Sequence, residues 1–285
     1  MNRLKKCVEI LNEKVLDFVV IVGDLVNENP DGNTEKRTEQ VACFNDAISG
    51  LKHKVYCLPG NHDVSKGNFI TGDLIKDGER DISSVDNFKK EFGEIAYDKF
   101  CFEIGNVNYI GLNSNFWQLD QDKVQNGDFS KLVPEKTAKH DQFEYLQKKL
   151  DSSSSKRTIL FCHHPLFYSG SKLICDKVLD FSRNGIEESH RFSIWNLLTI
   201  LWKSNASHIF CGHTHANKVV KLEILELNSK LSCIQTSSLS SNQKNFLANL
   251  SCVSGRGIPL PVFDQYGFRL VTVSDDEVNH EFVKI

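Results

Sequence analysis

The sequence predicts an α/β fold: one mixed β-sheet, or two sheets packed together, with helices outside. Three observations carry this. Short apolar, β-branched runs recur (LDFVVIVGD, HKVYCLPGNHD, KRTILFCHHP and ASHIFCGHTH), each ending in a polar cluster and each reading as a strand buried on both faces. Helical patterns alternate with these runs, which calls for parallel pairing. Other apolar segments double back around turn residues and read as antiparallel hairpins.

The elements follow in order. Met1 opens directly on a helical pattern over residues 1–14, with Leu4, Val8 and Leu11 on one face. The run FVVIV is the strand that stops at Gly23 and Asp24; a helix over 35–51 leads to the strand that stops at GNHD. Residues 64–90 and 115–135 are polar, lack sustained periodicity and read as long loops, which at strand exits often shape a binding site. Between them FCFEIGNVNYIGLNS is a hairpin with a Gly-Asn turn. A helix over 136–150 and a short SSSS link precede the strand ending in HHP, and a helix over 187–203, striped by Ile194, Leu197, Leu198 and Leu201, precedes the strand ending in GHTH. KLEILELNSKLSCIQTS reads as a hairpin with an Asn-Ser turn, and FRLVTVSDDEVNHEFVKI as the closing one. No repeat or break divides the chain, so residues 1–285 are expected to form a single domain.

Composition narrows the function. The 37 acidic and 34 basic side chains are spread along the chain for a formal charge of −3, so no basic face invites nucleic acid or a membrane surface. Nine cysteines form no C-x-x-C pair and are odd in number, which suits reduced, core-filling thiols in a cytoplasmic protein better than a disulfide framework. The first twenty residues carry charges throughout and hold no apolar run long enough for a leader or a membrane span.

Chemistry collects at the strand ends. His62, His163, His164, His213 and His215 follow apolar runs, together with Asp24, Asn61 and Asp63. In an open α/β sheet the carboxyl ends of parallel strands face one crevice, so these groups converge although up to about 190 positions separate them. A lone Gly-Asp is usually a turn or a cap, and GNHD alone suits a type II turn with a solvated histidine. GHTH is sharper, because two histidines one residue apart on an extended segment point the same way. In HHP the same alternation turns only one imidazole toward the crevice. His53, His140, His190, His208 and His280 have no such setting and read as surface or structural. Carboxylate, amide and imidazole donors without thiolate suit Mn, Fe, Zn or Co. Two such ions about 3.5–4 Å apart generate hydroxide near neutral pH and hold phosphoryl oxygens for in-line displacement.

GDLV, GNHD, HHP and GHTH, in this order over about residues 1–220, together resemble the calcineurin-like metallophosphoesterases. The resemblance implies a sandwich of two mixed β-sheets flanked by helices, with a dinuclear site of divalent ions (Mn, Fe or Zn) at the strand ends. It implies that Asp24 bridges both metals, that Asn61, His163 and His213 complete the second site, and that His215 goes to the first. His62 would be the outer-sphere acid near the leaving oxygen, with Asp63 orienting it. Family members begin with a strand ending in Asp-x-His, which has no counterpart here; the expectation is a chain N-terminally truncated relative to the family, the competing readings being a mononuclear or metal-poor relative and a fold kept for binding, and without the first strand the first metal would be weakly held. GDLVNEN and GNHD differ from the phosphoprotein phosphatases, whose motifs resemble GDxVDRG and GNHE. The pattern is most similar to the small phosphodiesterase branch. The expected activity is therefore hydrolysis of a small phosphoester, with no nucleic-acid or membrane partner. The alternative is a catalytically impaired member serving as a binding module. NSNFWQLDQ (113–121) reads as padding at the core edge rather than a base-stacking loop. The site assignment makes one prediction: His213→Ala and Asn61→Ala abolish metal-dependent hydrolysis, whereas His53→Ala leaves it near wild type, as steady-state assays with added Mn(II) will show.

Overall fold

The computed structural model describes residues 2–27, 34–64, 82–116, 142–165, 171–173, 200–201, 203–213, 215, 217–224, 229–239 and 266–285. Helix α1 (Asn2–Asn12) lays Val8 and Leu11 inward and is followed by strand β1 (Phe18–Ile21). Helix α2 (Thr34–Ser49) returns the chain to strand β2 (Lys54–Cys57), which pairs with β1 in parallel, Phe18 opposite Lys54 and Ile21 opposite Cys57. A single helical turn, α3 (Asn61–Val64), stands where a type II turn was one reading of GNHD.

The described end of the 64–90 stretch, expected to be loop, is instead the start of helix α4 (Ile82–Phe92). Its Val85, Phe88 and Phe92 recur at i, i+3 and i+7 and are all buried, Phe88 and Phe92 in one cluster with Val64, Phe44 and Ala96. The apolar stripe is narrow and the rest of the helix polar, which hid the period in the sequence. Helices α1, α2 and α4 thus share one apolar cluster with the outer side of β1 and β2.

Strands β3 (Lys99–Ile104) and β4 (Val107–Leu112) form the expected hairpin around Gly105 and Asn106, with Gly105 left-handed at φ +59°. Helix α5 (Gln142–Ser152) leads to β5 (Arg157–Phe161); β6 (Ser171–Leu173), β7 (Ala206–Cys211), β8 (Lys218–Ile224) and β9 (Ser229–Gln235) complete a seven-stranded mixed sheet in the order β3-β4-β5-β7-β9-β8-β6. Ser229, assigned to a turn from sequence, is already paired with Ile224. Of the helix expected over 187–203, residues up to 199 lie outside the described residues, as do His140 and His190.

Alternation along these strands builds two cores. Ile110, Leu160, Ile209 and Cys233 face outward against Leu146 of α5, while Tyr109, Ile159, Phe161, Phe210 and Ile234 face Phe18, Tyr56 and Leu58 of the first pair. A closing hairpin, β10 (Gly267–Val273) with β11 (Val278–Lys284), adds Val273 and Val278 to this same inner cluster. The fold is therefore the expected sandwich: sheets face to face with helices outside. No helix among the described residues is long and apolar enough to cross a membrane.

The closing hairpin lands on a cationic spot. Arg269 reaches the Asn217 side chain and the Gln235 carbonyl, and its Nη1 lies 3.0 Å from His280 Nδ1; the His280 ring meets Phe210 edge-on. Burial, followed by the charges of Arg157, His280 and Lys221, pushes the His208 imidazole down to about 4. Its folded value lies below the ordinary 6.5, so the neutral ring stabilises the fold; that contribution is present above about pH 6.5 and fades as pH falls toward 4. Urea titrations across this window should show His208→Gln losing about 1 kcal/mol less stability than wild type, a figure discounted for partial exposure.

Candidate metal centre

Strands β1, β2, β5 and β7 all release their chains at the same edge of the sandwich, and the structure brings the predicted residues together there. Leu58 N–H bonds to the Ile21 carbonyl at 2.9 Å, and Gly212 N–H to the His163 carbonyl at 3.0 Å, so the four exits are laced side by side. Where β1 ends, Gly23 turns to φ +102° and Asp24 to φ +55°. The two glycines of GD and GNHD meet: a Cβ on Gly23 would overlap the Gly60 backbone and sit 2.7 Å from His163 Nδ1, and one on Gly60 would overlap the Asp24 carboxylate. Only glycine lets these two loops approach.

Asp24 and His163 form the centre. The Nδ1–H of His163 donates to the Val22 carbonyl at 2.8 Å, which leaves Nε2 as the lone-pair nitrogen of the neutral ring. That nitrogen faces Asp24 Oδ2 at 3.3 Å, and His213 Nδ1 stands 3.2 Å from it. Asp24 Oδ1 accepts the His62 backbone N–H at 3.0 Å. A carboxylate oxygen and a bare imidazole nitrogen are both acceptors, so a proton or a cation must lie between them. Burial pushes the Asp24 carboxyl up, but the His163 ring and the His62 contacts outweigh it and hold it well below the usual range. Burial lowers His163, and Asp24 more than reverses this, so its value is raised. Burial, then His163, takes His213 down to about 3, and burial also lowers His215, on which the charges of Asp24, His163 and His62 act. Neutral imidazoles beside an ionised carboxylate fit a divalent ion.

GHTH departs from its expected form. His213 and His215 sit at φ +64° and +53°, left-handed rather than extended, because β7 ends at Cys211 and the chain turns at once. With Asp24 they are the three left-handed non-glycine residues among those described, each costing about 1–3 kcal/mol and typical of functional sites. Both imidazoles of HHP approach His213, since the strand stops at Phe161 and alternation no longer applies: His164 lies 4.5 Å from the His213 ring and 4.8 Å from the His163 ring. One ring nitrogen each of His163, His164 and His213 lies within 4.8 Å of the other two, close enough to share an ion.

GNHD divides its labour differently from expectation. The Asp63 carboxylate is fully buried and accepts the backbone N–H groups of Gly60 at 2.7 Å, Leu25 at 3.0 Å and Val26 at 3.4 Å, clamping the GD loop to its own. Burial and the Asp24 charge push this carboxyl up to about 7, against those donors. The ring of His62 is instead met at Nδ1 by the Asn27 carbonyl, 3.0 Å away. Asn61 begins α3, and its side chain lies outside the described residues.

Several supporting residues carried no sequence signal. Buried Arg37 of α2 donates to the Asp63 carbonyl at 3.0 Å and pairs with Glu91 of α4 at 2.6 Å, pinning α3 from behind. Asn113 and Asn115, expected as padding, form a buried polar network with Asp98, Gln142 and the Pro59 carbonyl. Ser114 between them holds His164.

A family model described as calcineurin-like phosphoesterase matches residues 1–217. An uncharacterized metallophosphoesterase of Helicobacter pylori strain J99 is 26% identical over 220 residues, covering 76% of this chain and 41% of that protein. A probable glycerophosphodiester phosphodiesterase GpdQ of Arcobacter nitrofigilis is 22% identical over 217 residues, covering 67% and 64%. The chain thus spans less than two thirds of the length of these relatives. Among solved structures, a purple acid phosphatase from yellow lupin seeds aligns with a TM-score of 0.62 at 16% identity, covering 99% of this chain and 46% of that one, and PhoD aligns at 0.54 and 12%, covering 98% and 65%. These two share the fold.

Because an ion must displace the proton shared by Asp24 and His163, Mn(II) binding should release close to one proton and weaken about tenfold per pH unit below the raised value of His163. Calorimetric titrations in buffers of different ionisation enthalpy count that proton.

Proposed function

We propose that this chain, which belongs to the calcineurin-like phosphoesterase family, is a metal-dependent phosphoester hydrolase of the small phosphodiesterase kind. The observation that supports the reading best is the Asp24 oxygen facing the bare His163 nitrogen at 3.3 Å, with His213 and His215 beside it. When bound, divalent ions supply Lewis acidity and a water acidified to near-neutral pKa.

The residues divide the work. Asp24 offers a carboxylate held ionised by His163 and the His62 backbone, suited to bridging two ions. His163, fixed by the Val22 carbonyl, presents one nitrogen, and His213 and His215 add neutral imidazoles, with Asn61 as the amide donor. His62 donates Nδ1–H to the Asn27 carbonyl, so the proton it exchanges with a leaving oxygen sits on Nε2. Asp63 acts through the backbone, holding Gly60 and the GD loop in place; it is a positioning residue. The diester preference draws on the similarity to the protein named as a glycerophosphodiester phosphodiesterase. No basic stripe in the sequence suits a long nucleic acid.

The test is turnover of bis(p-nitrophenyl) phosphate against p-nitrophenyl phosphate by protein stripped with EDTA and reloaded with Mn(II). Hydrolysis of the diester should return with Mn(II), exceed that of the monoester and fall at least about 100-fold in Asp24→Asn. Metal-independent turnover, or an Asp24→Asn enzyme at wild-type rate, contradicts the reading.

A further inference from the structure

We infer that Arg269 of the closing hairpin is a positioning residue for the metal centre: its guanidinium clasps the chain where it leaves the GHTH turn and so keeps His213 and His215 beside Asp24. For what the centre does, the inference rests on the phosphoester hydrolase reading above. Arg269 lies beyond residues 1–217, which the family model matches, so no motif assigns it a role.

Strand order makes this turn a bridge. Strand β9 lies between β7 and β8, and its last residue, Gln235, pairs with both Cys211, the last of β7, and Lys218, the first of β8. The chain therefore leaves the sheet on one side of Gln235 and re-enters it on the other. Two of the residues it carries across, His213 and His215, are left-handed at φ +64° and +53°, a strain that persists only where the surroundings fix it. Arg269 acts on that crossing at two points. Its Nη2 donates to the Asn217 side-chain oxygen, two residues past His215, and lies 3.5 Å from the Gln235 carbonyl.

The guanidinium is itself held in one orientation. Its Nη1 lies 3.0 Å from His280 Nδ1 on β11, which accepts, since a guanidinium can only donate. The Phe282 ring centroid is 5.9 Å from its central carbon, and the His280 ring meets Phe210, the neighbour of Cys211, edge-on at 6.2 Å. Burial lowers the pKa of Arg269. Yet among the described residues no carboxylate pairs with it, and its buried Nε has no partner there. Neutral acceptors offset the cost of desolvating a cation poorly, so these contacts contribute geometry more than stability. A planar fork with acceptors on both terminal nitrogens fixes the Asn217 side chain against the end of β9.

The experiment compares wild type, Arg269→Ala, Arg269→Lys, Asn217→Ala, the double variant of Arg269→Ala with Asn217→Ala, and Arg157→Ala. Arg157 is the control: its Nη2 donates to the Asp275 carbonyl at 3.2 Å and ties down the turn of the same hairpin, away from GHTH. Mn(II) affinity is read by calorimetry, and the ring signals of His213 and His215 by long-range proton–nitrogen NMR of the metal-free protein. Arg269→Ala should weaken Mn(II) about tenfold, the loss expected when a residue that orients ligands is removed. It should also move both ring signals while leaving those of His53 in place. Asn217→Ala should do the same, and the double variant no worse, because the two act as one contact. Arg269→Lys should recover little, since an ammonium cannot reproduce the fork. Arg157→Ala should bind Mn(II) as wild type does. Wild-type affinity or unmoved ring signals in Arg269→Ala overturn the inference, as do additive losses in the double variant. An Arg157→Ala protein that loses as much Mn(II) affinity also overturns it, since Arg269 would then serve only the hairpin as a whole. Wild-type protein that takes up no Mn(II) overturns the hydrolase reading, and the ring signals alone then decide the clasp. Should Arg269→Ala fail to fold, Asn217→Ala decides, because it leaves the contact of Arg269 with His280 intact.

Discussion

Asp24 Oδ2 and His163 Nε2 face each other across 3.3 Å, and neither atom can donate while the carboxylate is ionised and the ring neutral. Their mutual approach makes sense only around a positive charge. Much of the surrounding structure serves to create this arrangement. The Val22 carbonyl selects the tautomer that bares Nε2, and the His62 backbone N–H steadies the other carboxylate oxygen. Burial keeps His213 neutral, so that its lone pair competes with no proton.

Holding two acceptors together has to be enforced by the scaffold. β1 delivers Asp24, β5 delivers His163 and β7 delivers His213; their side-by-side exits fix the distances before any ion arrives. The loops then depart from ordinary backbone geometry, with Asp24, His213 and His215 all left-handed. Such conformations persist only where neighbours over-determine them. Asp63 does so from the interior: its carboxylate joins Gly60 of one loop to Leu25 and Val26 of the other, and Arg37 ties the Asp63 carbonyl to Glu91. The Gly23 to Gly60 contact closes the remaining gap.

Apolar runs that stop at polar clusters revealed where the strands end, because the last residues of β2, β5 and β7 are buried and carry no charge until the chain leaves the sheet. That made the convergence of Asp24, His163, His213 and His215 legible. The partners of individual groups were not legible. Asp63 receives its donors from positions 25 and 26, a contact no local pattern encodes. Left-handed backbone at His213 and His215 is invisible because neither is glycine, and the expected strand alternation there and at His164 failed once the chain turned. Asn113, Ser114 and Asn115 look like an ordinary polar strand exit. Their burial follows from packing against Asp98 and Gln142, from two other parts of the chain.

The central claim is that a cation belongs between Asp24 and His163, and crystals grown or soaked with Mn(II) test it most directly through anomalous scattering. An anomalous peak about 2.2 Å from Asp24 Oδ2 and His163 Nε2, with His213 turned to the same ion, is the predicted result. A well-ordered site with no peak there, and a direct Asp24 to His163 hydrogen bond that persists at saturating metal, would contradict it.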